Sequence, residues 1–153
     1  MEVVGGIARG RWLDEIAEAL PQRASAISRL FLAHTTVELS RTEANVMRAL
    51  SERPRRITEL ALGEGVTQPA MTLLVNRLEE RGWVQRGEDP ADRRAVLVCM
   101  SESGERIFEQ LRVEYRALLH EEMALLDDED VEVLARATEI LDGLVDRLNR
   151  ADR

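Results

Sequence analysis

The chain has 153 residues, 44% of them hydrophobic and 33% charged, a balance that excludes a disordered protein and gives one ordinary domain with enough length for a core. Aromatic residues make up only 3%, so the core must be built from Leu, Val, Ile and Ala, which suggests helices packing on helices. The formal net charge of −8 argues at first against nucleic acid as a partner.

The distribution of that charge points the other way. Residues 1–39 carry four Arg and five acids, residues 40–100 ten Arg and nine acids, and residues 101–153 seven Arg and fifteen acids. The acidity sits in the last third, while the middle is near neutral with clustered arginines. Charge on separate surfaces serves separate tasks. The opening MEVVGGIARGRW has no secretory pattern, and no stretch approaches the roughly 18 apolar residues that span a bilayer. A cytoplasmic protein that does not engage a membrane is expected. Cys99 is the single cysteine, so no internal disulfide is available, in keeping with a reducing compartment.

Helical patterns cover residues 11–20 and 22–36, with Pro21 interrupting them, so a kink or a restart of the helix is expected there. Ser40 to Glu43 is a capping-box pattern, followed by apolar Ala44, Val46, Met47 and Leu50. SERPRR at 51–56 is a polar break. A short helix is expected from Thr58 to about Glu64, a tight turn at Gly65, and a longer helix from its N-cap Thr67 to about Arg81. Pro69 is tolerated in the first turn of that helix, and Gly82 stops it. WVQR at 83–86 and AVLVCM at 95–100 read as short strands around a turn-forming loop at 87–94. Ser101 caps a helix over about 102–125 whose stripe includes Ile107, Phe108, Leu111, Tyr115, Leu118 and Leu119, and a last helix starts near Asp128. The fold class is mainly α with a small β-hairpin.

Residues 57–82 have the spacing of a helix-turn-helix. Leu60 and Ala61 face inward from its first helix, Val66 plugs the gap after Gly65, and Met71, Leu74 and Val75 face inward from its second. The outward face is then Gln68, Pro69, Thr72, Asn76 and part of Arg77. Gln and Asn pair with adenine edges in a major groove, Thr reads a base edge or a thymine methyl, and the amides near Thr67 and Gln68 face phosphate. The hairpin loop carries adjacent Arg93 and Arg94, with Asp92 placed to steady one of them. Guanidinium groups on a narrow wing suit the negative potential of a minor groove.

RLEERGWVQRGEDPADRRAVLVCMSESGERIF resembles the signature region of the MarR (multiple antibiotic resistance regulator) family. The matching positions are Arg77-Leu78-Glu79, Gly82-Trp83-Val84, Arg86, Asp89-Pro90, Asp92, Arg94 and Ser101 to Gly104. The resemblance runs from about Ser40 to Phe108. It implies a winged helix-turn-helix lobe at 40–100 within a single domain over 1–153, and a homodimer formed through helices at 10–36 and 102–150. It further implies two recognition helices in successive major grooves of a palindromic duplex, with wings in the flanking minor grooves. Carried over by position, Gln68, Pro69 and Thr72 meet bases, Asn76, Arg77 and Arg86 meet base or backbone, and Arg94 is the wing-tip arginine steadied by Asp92. Two positions depart from the family's pattern: Gly63, where a longer polar residue is usual, and Pro21, where many members run on in helix.

Many members of the family release DNA when a small aromatic or phenolic anion binds near the dimer helices, and repression is their usual mode. Trp12, Phe31, His34 and Tyr115 are the candidate effector-binding residues by that likeness. Cys99 lies in the apolar run of the second wing strand rather than in the first helix, and reads as a buried structural thiol. His34 and His120 are the only histidines, and no Cys/His cluster has metal spacing, so neither a metal nor a cofactor is expected. No nucleophile–base pair or phosphate-cradling loop marks an enzyme. The competing reading is a helical dimerisation or protein-interaction module without DNA binding, supported by the acidic last third. The paired arginines of the wing discriminate against it.

Overall fold

A computed structural model describes residues 2–89 and 92–151, with side chains described at 9–89, 96–148 and 150. The elements are α1 (Glu2–His34), α2 (Arg41–Glu52), β1 (Arg55–Arg56), α3 (Ile57–Gly63), α4 (Gln68–Glu80), β2 (Val84–Asp89), β3 (Asp92–Met100), α5 (Glu102–Met123) and α6 (Asp128–Ala151). The chain divides into two units, Met1–Arg112 and Val113–Arg153.

In the first unit α1 is a single helix of 33 residues with Pro21 inside it. The helix does not restart at Pro21. Proline deletes one amide donor and crowds the carbonyl four residues back, here that of Ala17. Ala17 lies on an exposed face, so water can take the carbonyl that loses its partner. The helix ends at His34, whose Nδ1 lies 2.7 Å from the Leu30 carbonyl.

The capping box of α2 forms as the sequence dictates. The Glu43 amide donates to Ser40 Oγ at 3.2 Å, and the Ser40 amide donates to Glu43 Oε2 at 2.8 Å. That start fixes the phase of α2 and turns Val46, Met47 and Leu50 inward. They meet Leu60 and Ala61 of α3, Met71, Leu74, Val75 and Leu78 of α4, and Val84 and Val98 of the sheet, in one buried cluster. Each fully buried aliphatic side chain contributes about 1.5–3 kcal/mol. Trp83, Met100, Ile107 and Phe108 close the edge of the cluster.

The sheet has three antiparallel strands in the order β1-β3-β2. Strand β1, read from sequence as part of a polar break, pairs Arg55 with Val98 and Arg56 with Leu97. The hairpin strands also reach further than the periodicity indicates. They pair from Val84↔Met100 to Glu88↔Val96, then shift register before Asp89↔Asp92. Gly87, Glu88 and Asp89, expected in the loop, are therefore in the ladder, because cross-strand pairing holds residues whose own preference is for turns.

Glycine is required at three turning points. Gly65 and Gly82 have φ of 63° and 73°, and they end α3 and α4. Gly104 is needed for a different reason: a Cβ there would collide with the Trp83 carbonyl oxygen. Ser101 organises that junction. Its hydroxyl donates to the Gly82 carbonyl at 2.5 Å and accepts from the Gly104 amide at 3.0 Å, so it joins the end of α4 to the start of α5.

In the second unit α6 is capped by Asp127, whose carboxylate accepts from the Asp130 amide at 2.8 Å. Its apolar residues are largely uncovered: Val133 is 62% exposed and Ile140 and Leu148 are each 59% exposed. Among the described residues no helix is long and apolar enough to cross a membrane.

Candidate nucleic-acid interface

The turn between α3 and α4 sets the face that α4 presents. Thr67 adopts an extended conformation and its hydroxyl accepts from the Ala70 amide at 3.4 Å, which starts α4 with Pro69 in its first turn. Met71, Leu74, Val75 and Leu78 then face the core. Gln68 and Pro69 are exposed, Thr72 and Asn76 half-buried, and Arg77 exposed, all on the other side. Val66, expected as a plug, is 37% exposed and only partly fills the gap.

The outward polar residues are not all equally available. The Thr72 hydroxyl donates to the Gln68 carbonyl at 2.9 Å. Arg86, on β2, donates to Asn76 Oδ1 at 2.5 Å and forms an ion pair with Glu79. Its guanidinium is thus committed inside the lobe, where it braces α4 against β2. The resemblance implies base or backbone contact for Arg86; within the protomer its partners are α4 side chains. Arg77 Nε lies 3.7 Å from Glu43 Oε1, which links the end of α4 to the start of α2. Glu43 is buried. Burial alone would raise its pKa, but hydrogen bonds from the Ser40 amide and hydroxyl and the charges of Arg81 and Arg77 outweigh it and hold the carboxyl below its ordinary value.

A second brace holds the hairpin. Arg56 of β1 donates to Asp89 Oδ2 from Nε at 3.0 Å and from Nη2 at 2.6 Å, and Asp89 is buried. The sequence pattern hides this pair: its members stand 33 positions apart, and each alone looks like an ordinary surface charge. The one signal is the DP turn at the wing, which marks Asp89 but not its partner. Beside the pair, Arg56, Ile57, Thr58, Gln68 and Val96 line an open concavity of about 300 Å³ between the starts of α3 and α4 and the hairpin. The side chains of Asp92, Arg93 and Arg94 lie outside the described residues; their backbone belongs to β3.

The candidate effector residues are scattered. Trp12 is 63% exposed and 19 positions before Phe31 on one unbroken helix, which separates them by about 28 Å along the axis. They cannot line one small pocket on the same α1. His34 is exposed at the end of α1. Tyr115 belongs to the second unit, where burial and then the charge of Glu114 raise the pKa of its phenol. Cys99 is half-buried rather than buried, because it points away from Val98, and its thiol lies 3.5 Å from the Gln85 carbonyl.

A helix pair joined by a tight turn, with the second helix exposed on one side and a three-stranded sheet ending in a hairpin beside it, is a winged helix-turn-helix. Residues 39–96 match the MarR family. The chain is 36% identical over 87 residues to an uncharacterized HTH-type transcriptional regulator of Mycobacterium bovis, covering 57% of this chain and 61% of that one. It is 37% identical over 76 residues to the transcriptional regulator HosA of Escherichia coli O111:H-, covering 48% of this chain and 56% of that one. The chain thus matches about three fifths of the length of these relatives. Among solved structures, a MarR family protein from Bacillus stearothermophilus superposes with a TM-score of 0.69 at 23% identity, covering 88% of this chain and 96% of that one. A probable transcriptional regulator from Pseudomonas aeruginosa superposes with a TM-score of 0.61 at 27% identity, covering 88% and 97%.

Proposed function

We propose that the chain is a sequence-specific DNA-binding transcription regulator that acts as a homodimer on a palindromic duplex. The observation that carries this reading is α4. It is pinned to a core on one side by four buried residues and to β2 by Arg86, and it offers Gln68, Pro69 and Thr72 on the other. A helix held this rigidly reads a major groove with little loss of side-chain freedom. Asn76, Arg77 and Arg86 position it, while Thr67 and the first amides of α4 face phosphate.

The wing supplies the second contact. Arg94, with Arg93 beside it and Asp92 steadying it, enters a minor groove. The exposed apolar residues of α1 and of α6 support self-association, since single helices do not leave so many large side chains in water without a partner. As a regulator it works where the DNA is, in the cytoplasm. Repression, relieved by a small aromatic or phenolic effector, is the mode favoured by family likeness, with Trp12, Phe31, His34 and Tyr115 as its candidate contacts. Because α1 separates Trp12 from Phe31, any shared pocket needs residues of both protomers.

Selection of duplexes from a random pool by the purified chain tests the reading. A palindromic consensus with half-sites about one helical turn apart is expected. Enrichment of no sequence overturns it. Arg94→Ala is expected to weaken binding on all sequences and to lower the slope of log affinity against log salt by about 1; an unchanged slope removes the wing from the interface.

A further inference from the structure

Leu73 is the feature of α4 that this reading leaves unused. It is 62% exposed and takes no part in the core. At 100° per residue it stands about 40° from Pro69 and about 60° from Asn76, near the middle of the face opposite Met71, Leu74, Val75 and Leu78. That makes it more central to the outward face than Thr72 or Gln68. Its neighbours there have polar atoms already engaged: the Thr72 hydroxyl with the Gln68 carbonyl and Asn76 Oδ1 with Arg86. In the first half of α4 the centre of the face is therefore apolar, made of Leu73 and the ring of Pro69, with exposed Glu80 on the same line two turns further on.

We infer that Leu73 is a specificity-determining residue that reads the C5 methyl group of a thymine in each half-site. The inference rests on the DNA-binding reading above. In a major groove the thymine methyl is the one apolar feature on a base edge. A leucine pressed against it removes apolar surface from water on both sides. The same leucine against guanine, cytosine or adenine strips water from donors and acceptors and offers nothing in return, which penalises those bases. Leu73 thus selects by exclusion as well as by attraction. The inward–outward pattern hides this role, because Leu73 stands directly before Leu74 and Val75 and reads as part of their apolar run.

The test measures affinity of the full chain and of Leu73→Ala for the selected consensus. It then replaces each thymine of a half-site in turn by deoxyuridine, which differs only in lacking the methyl group. At one thymine the wild-type chain is expected to lose about fourfold in affinity, the worth of one buried methyl group, while Leu73→Ala loses nothing further there. Repeating the selection with Leu73→Gln is expected to change the preferred base at that position alone. Equal deoxyuridine losses in both proteins, or no sensitive thymine under α4, overturns the inference and leaves the regulator reading standing. A wild-type chain with no sequence preference overturns that reading and this inference with it. Far-ultraviolet circular dichroism of the variants separates a lost contact from a lost fold.

Discussion

The winged lobe and α6 bury their apolar residues to very different degrees. In the lobe, Val46, Met47, Met71, Val75, Leu78 and Val98 are fully buried in one cluster fed by three helices and a sheet. On α6, Val131, Val133, Leu134, Ile140, Val145 and Leu148 are between 43% and 62% exposed. The two sequences are alike in apolar content along their helices, so hydrophobicity alone does not explain the difference. The lobe closes its own core because α2, α3 and α4 are short, joined by tight turns, and capped so that their apolar faces converge. The second unit holds α6 as one helix of 24 residues, with no short, capped neighbours of the kind that close the lobe's core. In the homodimer proposed above, the apolar face of α6 serves association, where the lobe's serves folding.

Substitutions can break this contrast, and the largest effect belongs to the lobe. Leu78→Ala removes a fully buried side chain and is expected to destabilise the chain by about 2–5 kcal/mol in urea denaturation. Gly104→Ala drives a methyl group into the Trp83 carbonyl oxygen and is expected to cost about 1–3 kcal/mol on the same measurement. Neither should act through protein concentration. Ile140→Asp puts a charge on the exposed face of α6 and should do the reverse. Sedimentation equilibrium is expected to show dimer association weakened at least tenfold, about 1.4 kcal/mol, with the helical signal of the lobe intact. A Leu78→Ala loss that grows on dilution, or an Ile140→Asp variant that unfolds as a monomer, would merge the two regions into one cooperative unit.

The smallest expected effect is a pH dependence. The Glu43 carboxyl titrates below its ordinary value of 4.5, so the folded chain holds this proton less readily than the unfolded one. Its contribution is complete above that ordinary value and is lost as pH falls through the lower folded value. Glu43→Gln is expected to flatten the acid limb of the stability curve by less than about 1 kcal/mol. A parallel limb in both proteins would assign acid sensitivity elsewhere.

Much of the lobe is legible in the linear pattern because its signals are local. Ser40 and Glu43 are three residues apart, Thr67 starts α4 within one turn, and Gly65 and Gly82 stand where left-handed backbone is needed. The outward set Gln68, Pro69, Thr72 and Asn76 follows from helical period once Met71, Leu74 and Val75 are turned inward. The pattern misleads where context beyond near neighbours decides the outcome. Pro21 reads as a kink or a restart, and the helix continues through it without restarting; Arg55 and Arg56 read as a polar gap, yet they pair with β3.

Local spacing therefore determined which segments are helices, where they start and stop, and which face of α4 is free, because caps, turns and the 3.6-residue period act between near neighbours. Only the tertiary structure decided what the outward residues are able to do. Folding brings Arg86 to Glu79 and Asn76, Arg56 to Asp89, and Gly104 against Trp83, and it leaves Leu73 uncovered at the centre of the outward face. These partners lie from 7 to 33 residues apart in sequence, beyond the reach of any periodicity, and the packing of the core sets their distances.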